Sequence, residues 1–361
     1  MNEKEEYIIG LIKNNPYISQ QDLASRLQLS RSAVAGYISS LTKNGHIKGR
    51  AYVLNNERQV LCVGGANIDR KAKIQSEFQW EDSNPVVVSE TIGGVARNIA
   101  DNLARLQVPT LLYTAVGSDS EGDKIWSHSL HYDMSTSIQK QDQRTGNYTA
   151  VLNEKNNMMF ALAEMDIYDA VSVADVKKSL SHFRSADMII LDTNFPKDVL
   201  SSIFHQKDAG KQILGVVPVS AKKINRLPDD LSKIDYFILN IEELNAVIER
   251  YVPHVKSKDI PMKMDEIVKL GVKNIIVTAG EKGAHFQSVE GSIGQTVALK
   301  THVEDVTGAG DAFAAGVFYS IHKGLTLKVA CENGTKLAQR TLSTTETVAE
   351  GLNESIFNEV L

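Results

Sequence analysis

Apolar positions follow two different rhythms along this chain. Over residues 1–54 they recur at helical spacing: Tyr7, Ile8, Leu11 and Ile12, then Leu23, Ala24 and Leu27, then Val34, Tyr37, Ile38 and Leu41. Steps of three and four put such side chains on one helix face. Pro16 closes the first segment, Ser19 with Asp22 gives the second a capping-box-like start, and Asn44-Gly45 ends the third. Ile47 to Leu54 alternates and predicts a small strand pair. From Gln59 onward, short apolar runs take over: 60–63, 111–116, 188–191, 213–217, 236–239 and 275–277. Runs this short, bounded by turn residues, read as buried strands. Helical segments lie between them at 97–106, 173–183 and 241–249. Alternation of strand and helix predicts an α/β layer fold around a mainly parallel sheet. Two stretches, 86–91 and 148–162, have strand composition without a following crossover helix. They predict a small antiparallel sheet covering a cleft, with its strands near 70–92 and 145–163.

The chain thus divides into a head, 1–54, and a body, 59–361. Charge separates them further. The head carries seven Lys/Arg and four acids, a net +3, which leaves −8 for the remainder of a chain of net charge −5. A basic head on an acidic body suggests two jobs. No run of about 18 apolar residues occurs, so no membrane span is expected. The opening Met-Asn-Glu-Lys-Glu-Glu lacks the basic start and apolar stretch of a signal peptide, which points to the cytoplasm. Cys62 and Cys331 lie far apart and form no metal-ligand spacing, so they read as reduced core thiols. Three helices and a short ribbon resemble a winged helix-turn-helix of the kind found in bacterial regulators. That resemblance places a recognition helix at about 30–43, offering Arg31, Ser32 and Tyr37 to DNA. A protein-interaction module is the other reading of the head. Because +3 is a modest charge, DNA binding would call for a dimer.

The sharpest chemical signal is Asp305-Val306-Thr307-Gly308-Ala309-Gly310-Asp311, followed by an apolar helical stretch. Small residues at Gly308, Ala309 and Gly310 let backbone approach a phosphate closely. Helix N-terminal amides and the helix dipole favour anions at the same place. Asp311 stands beside this anion hole, where a carboxylate can take the proton of an attacking hydroxyl.

At this string the chain resembles the PfkB/ribokinase family of carbohydrate and nucleoside kinases, with Val306 where the family's signature carries Thr. The resemblance covers about residues 59–361 and implies a three-layer α/β/α sheet with a small β lid. It implies Asp311 as catalytic base, also touching the acceptor hydroxyl. It carries over Asn67 and Asp69 as ligands of sugar hydroxyls, Gly93 and Gly94 for close sugar contact, and Asn98 as a polar anchor. Asn240-Ile241-Glu242-Glu243 matches an Asn-x-x-Glu motif that positions Mg²⁺ and phosphate, with Glu243 acting through water. Thr278, Gly280 and Gly283 match a turn near the nucleotide, to which Asn240, Gly308 and Gly310 also contribute. A monovalent cation, potassium in kind, is implied near Asp305. ATP and Mg²⁺ are the implied co-substrate and cofactor, and a homodimer paired through the lid edges is expected.

Several strings are especially similar to those of the pseudouridine kinases within that family. They are 64–69, 82–85, 93–100, 115–119 and 218–221. The similarity implies phosphorylation at the 5′-hydroxyl of pseudouridine, with Ser83 and Asn84 in the lid either touching ligand or forming a turn. Val217 departs from the Asp that related kinases often carry there. Two other readings stay open: a kinase for ribose or another nucleoside, and a ligand-sensing regulator whose kinase-like body is not catalytic.

Overall fold

The computed structural model describes residues 2–15, 18–48, 59–131, 135–139 and 142–358. The head is three helices, α1 (Glu3–Asn14), α2 (Gln20–Leu27) and α3 (Arg31–Lys43). Ser19 caps α2, its hydroxyl accepting the Asp22 N–H at 3.1 Å and donating to the Asp22 carboxylate at 2.7 Å. Ser30 caps α3 by accepting the Ala33 N–H at 3.1 Å. Ile8, Ile12, Leu23, Val34, Ile38, Leu41 and Ile47 close a separate small core. Of the strand pair expected at Ile47 to Leu54, residues 49–54 lie outside the described residues. The head touches the body where the Arg184 guanidinium donates to Asn44 Oδ1 at 2.9 Å.

The body contains strands β1 (Val60–Val63), β2 (Asn67–Ile74), β3 (Val86–Gly93), β4 (Thr110–Val116), β5 (Ser135–Gln139), β6 (Asn147–Leu152), β7 (Met158–Glu164), β8 (Met188–Leu191), β9 (Ile213–Val216), β10 (Tyr236–Asn240), β11 (Asn274–Thr278), β12 (Ala284–Ser288) and β13 (Ile293–Thr296). Nine of them form one sheet in the order β13-β12-β11-β10-β9-β8-β1-β4-β5. Its neighbours pair in parallel from β5 through β11, and β12 and β13 are antiparallel. Strand side chains alternate between faces. Val60 and Cys62 therefore enter one core while Leu61 and Val63 enter the other. Buried on both faces, the sheet carries helices on both, which gives three layers. The helix Ala309–His322 lies in the first core with every residue from Ala312 to Ser320 buried. Cys62 and Cys331 are free, buried thiols, as expected. Among the described residues, no helix is long and apolar enough to cross a membrane.

Three details differ from the sequence expectation. The segment 173–183 is two short helices, Val173–Lys178 and Leu180–Ser185, because a ψ of 17° at Ser179 interrupts the helical run. The lid is a four-stranded sheet, β3-β2-β6-β7, and it is mixed rather than antiparallel. Its central pair, β2 and β6, runs parallel, while β2–β3 and β6–β7 are antiparallel hairpin-like pairs. The third difference is one of placement: the helix expected at 97–106 is present as α4 (Val95–Arg105), but it follows β3 directly, where 86–91 is read as having no helix after it. Gly93 and Gly94 turn the chain there from lid into body.

Candidate active site

The phosphate-type turn forms as the residue types dictate. Gly308 adopts φ +81°, a left-handed conformation, and a Cβ built there would sit 2.2 Å from the Thr347 carbonyl oxygen. Only glycine fits both demands. Thr307 N–H donates to Asp305 Oδ1 at 2.9 Å, and Ala309 N–H reaches Val306 O at 3.4 Å. Among the described residues, the N–H groups of Gly308, Gly310 and Asp311 have no acceptor. These are the open donors of a helix start, and they form the positive end of the dipole of a 14-residue helix.

Asp311 is half-buried in the first turn of that helix. Its Oδ2 accepts the Asn98 side-chain N–H at 2.7 Å. Burial raises its pKa to about 7, and the charges of Asp192, Asp69 and Glu243 push the same way, against the Asn98 hydrogen bond. The structure thus brings Asn98, from the start of α4, onto the carboxylate at the start of another helix 213 residues away.

Asp69 lies on lid strand β2 rather than at the end of a main-sheet strand. Asn67 Nδ2 donates to its Oδ1 at 2.5 Å. Burial raises the Asp69 pKa to about 6, opposed by that hydrogen bond and by Lys71 and Arg97. Gly93 backs directly onto this carboxylate: a Cβ there would meet Asp69 Oδ2 at 2.0 Å. Gly94 opens α4 with φ +102° beside the Gly65 carbonyl. Gly93 and Gly94 thus serve first to bring β3, β1 and Asp69 together.

Asn240 and Glu243 form a reciprocal cap on the helix Ile241–Tyr251. Asn240 N–H donates to Glu243 Oε2, and Glu243 N–H to Asn240 Oδ1, both at 2.9 Å. Glu243 is buried, and burial, with Glu242 adding to it, raises its pKa to about 7 against the Asn240 N–H. The turn after β11 holds Thr278, whose hydroxyl donates to Leu239 O at 3.3 Å, and Gly280 and Gly283, joined by an N–H to O bond of 2.9 Å. It stands beside the Asn240 cap because β10 and β11 pair Asn240 with Thr278.

Asp305 is engaged within the chain. Its Oδ2 forms an ion pair with the Lys71 ammonium, which also donates to Thr307 Oγ1 at 3.0 Å, and its Oδ1 accepts the Thr307 hydroxyl at 2.7 Å. Burial alone would raise its pKa, but Lys71 and Thr307 hold it below the ordinary carboxylate value. Asn84 accepts Gln79 N–H at 2.8 Å and donates to Gln79 O at 2.7 Å, so it closes the tip loop of the β2–β3 hairpin. In the head, Arg31 and Ser32 are exposed at the start of α3, whereas Tyr37 is half-buried against the head core. Helical spacing alone accounts for Tyr37, since it shares the inward stripe with Val34 and Leu41.

Two groups at the site escape the motif reading. Asp192, directly after β8, is fully buried and accepts N–H groups from Gly65 at 2.8 Å, Asn194 at 2.7 Å and Ala96 at 3.2 Å. Burial raises its pKa, against those bonds. Its signal in the sequence was an Asp immediately after an apolar run. Arg97 is the other, buried beside Asn98.

The site therefore joins a helix start with open amides, a half-buried carboxylate beside it and a β lid on an α/β body. The chain belongs to the pfkB family of carbohydrate kinases, whose model matches residues 57–353. Residues 1–48 match the model of a winged helix-turn-helix DNA-binding family. The chain is similar to the Escherichia coli protein described as uncharacterized sugar kinase YeiI, 26% identical over 91% of this chain and 90% of the relative. It is 29% identical to the pseudouridine kinase of the same organism, over 72% of this chain and 82% of that one. Among solved structures, a carbohydrate kinase from Agrobacterium tumefaciens superposes with a TM-score of 0.71 at 28% identity, covering 83% of this chain and 96% of that one.

Proposed function

We propose that this protein is a cytoplasmic kinase that transfers the γ-phosphoryl group of ATP to the 5′-hydroxyl of pseudouridine. The observation that carries the transfer is Asp311, poised at about pKa 7 beside the open amides of the Gly308–Asp311 turn. The strings shared with pseudouridine kinases and the 29% identity to one of them support the acceptor.

In this reading Asp69, steadied by Asn67, accepts hydrogen bonds from two ribose hydroxyls. The lid closes over the nucleoside and excludes water. Asp311 takes the proton of the 5′-hydroxyl while that oxygen bonds to the γ-phosphorus. The bond from γ-phosphorus to the bridging oxygen breaks, and ADP leaves. The turn amides stabilise charge on the transferred oxygens. The donor set fits Mg²⁺. Glu243, with one oxygen in its cap, offers a hard ligand through water, while among the described residues no group of three His, Cys, Asp or Glu forms a cage. A metal carried in on ATP phosphates needs one or two carboxylates and no cage. When bound it neutralises phosphate charge in a cleft where Asp69, Asp192, Glu243 and Asp311 all resist ionisation. Asp305 already faces the Lys71 ammonium, so the proposal gives no step to a potassium ion.

A panel of pseudouridine, uridine, inosine and ribose, each with ATP and Mg²⁺, tests the proposal by coupled ADP release. Turnover confined to ribose or another nucleoside replaces the acceptor. No ADP release with any acceptor leaves the sensing regulator. Because the base must be ionised and its pKa is raised to about 7, activity falls on the acid side. We expect kcat/KM to drop about tenfold per pH unit below about 7. A flat profile down to pH 5 would contradict the assignment.

The head is proposed to bind DNA through α3. Arg31→Ala is expected to weaken binding to a duplex from upstream of the protein's own gene and to lower the log–log salt slope by about one. Fluorescence anisotropy across a salt series measures both. A homodimer through the lid accounts for the exposed apolar side chains on its edge strands, Val87 and Val88 on β3 and Met158 and Leu162 on β7. Sedimentation equilibrium should return twice the chain mass, and Val87→Lys with Leu162→Lys should return one.

A further inference from the structure

Beneath the site lies a buried polar network with no part in the proposed transfer. Arg97, 3% exposed, is its hub. Its Nη1 donates to Asn98 Oδ1 at 2.7 Å, to Ile92 O at 2.6 Å and to Thr347 Oγ1 at 3.1 Å. Its Nη2 donates to Asp101 Oδ2 at 2.8 Å and lies 3.1 Å from His128 Nε2. Arg105 donates to the other Asp101 oxygen at 2.9 Å, and Asp101 is fully buried. A guanidinium has donors only, whereas an Asn amide has a donor end and an acceptor end. The Asn98 end that faces Arg97 is therefore the oxygen, which leaves the N–H₂ end for Asp311.

We infer that Arg97 is a positioning residue that fixes the polarity of the Asn98 amide, so that Asn98 donates to Asp311 and favours its ionised, proton-accepting form. Turned the other way, the amide would present an oxygen to Asp311 and favour the protonated acid. The inference rests on Asp311 being the base. Other titratable or charged groups around Asp311 are Asp192, Asp69 and Glu243, and those around Arg97 are Asp101, Arg105, His128 and Asp69. Arg97 also acts on Asp311 directly through its charge, and the test separates that route from the amide.

The titration of Asp311 is read by NMR on full-length protein carrying ¹³C at aspartate carboxyl carbons, its signal assigned by its loss in Asp311→Asn. We expect Arg97→Met to raise the midpoint by about one unit. The acid limb of kcat/KM moves with it. Arg97→Lys keeps the charge but has one nitrogen for several acceptors, and shifts the midpoint in the same direction. In an Asn98→Leu background Arg97→Lys adds nothing, because the two residues act in series. An unmoved midpoint in either folded variant, checked by thermal unfolding, overturns the inference. So does a shift from Arg97→Lys that persists in full without Asn98. Turnover by Asp311→Asn would instead overturn the base assignment, while the NMR midpoint still reports on Arg97.

Discussion

Replacing Asp311 with Asn is expected to lower kcat by about a thousandfold or more while ATP binding stays within a few-fold. General-base catalysis contributes up to about 10⁴ in rate, and the amide has no lone pair basic enough to replace it. The shape of the turn is preserved, because its open N–H groups belong to the backbone. Stability should move the other way. The folded pKa of Asp311 is raised above its unfolded value, so the stability linked to this group is full below about pH 4 and is lost as pH rises through about 7. The Asn variant therefore melts higher than the parent at pH 8. Single-turnover kinetics, ATP titration calorimetry and a melting curve read the three effects. Near-normal turnover, or loss of ATP binding with it, would break the argument.

Gly308→Ala should cost about a hundredfold in kcat. A left-handed residue with a Cβ is strained by about 1–2 kcal/mol. That alone is tolerable, but here the added carbon would fall 2.2 Å from Thr347 O. Relief requires the turn or Thr347 to move, and Thr347 also accepts from Arg97. Misaimed amides lose charge stabilisation of the size that one such donor supplies. Gly324→Ala is the control: it has φ +76° and nothing within 4 Å of the added carbon. It should lower the melting temperature modestly and leave kcat alone. Equal loss of kcat in both variants would make strain, not the clash, the cause.

Much of this was legible from residue order. Runs such as 188–191 became strands because both faces of the sheet are buried, and the seven-residue string at 305–311 became an open helix start. What the order of residues did not disclose depends on contacts between distant segments. Lys71 meets Asp305 across 234 positions, and neither residue carries a local sign of the other. Arg97 looked like one letter in a string, and only burial beside Asn98, Asp101 and Thr347 makes it a hub. The sequence pattern predicts an antiparallel lid because its hairpins dominate that pattern, and a parallel central pair leaves no turn signature between its strands. Asn240-x-x-Glu243 carries its helix-capping role in its spacing, which a family-motif reading passes over.

Asp69 and Lys71 sit two positions apart on β2, so both project from one face of a single strand. Asp69 accepts the Asn67 amide and, in the proposed reading, the acceptor hydroxyls, whereas Lys71 is tied to Asp305 and Thr307 at the start of the turn. A swing of that strand would therefore unfasten both ends together. In the proposed reaction, departure of the phosphorylated product and loosening of the nucleotide pocket would then be one event.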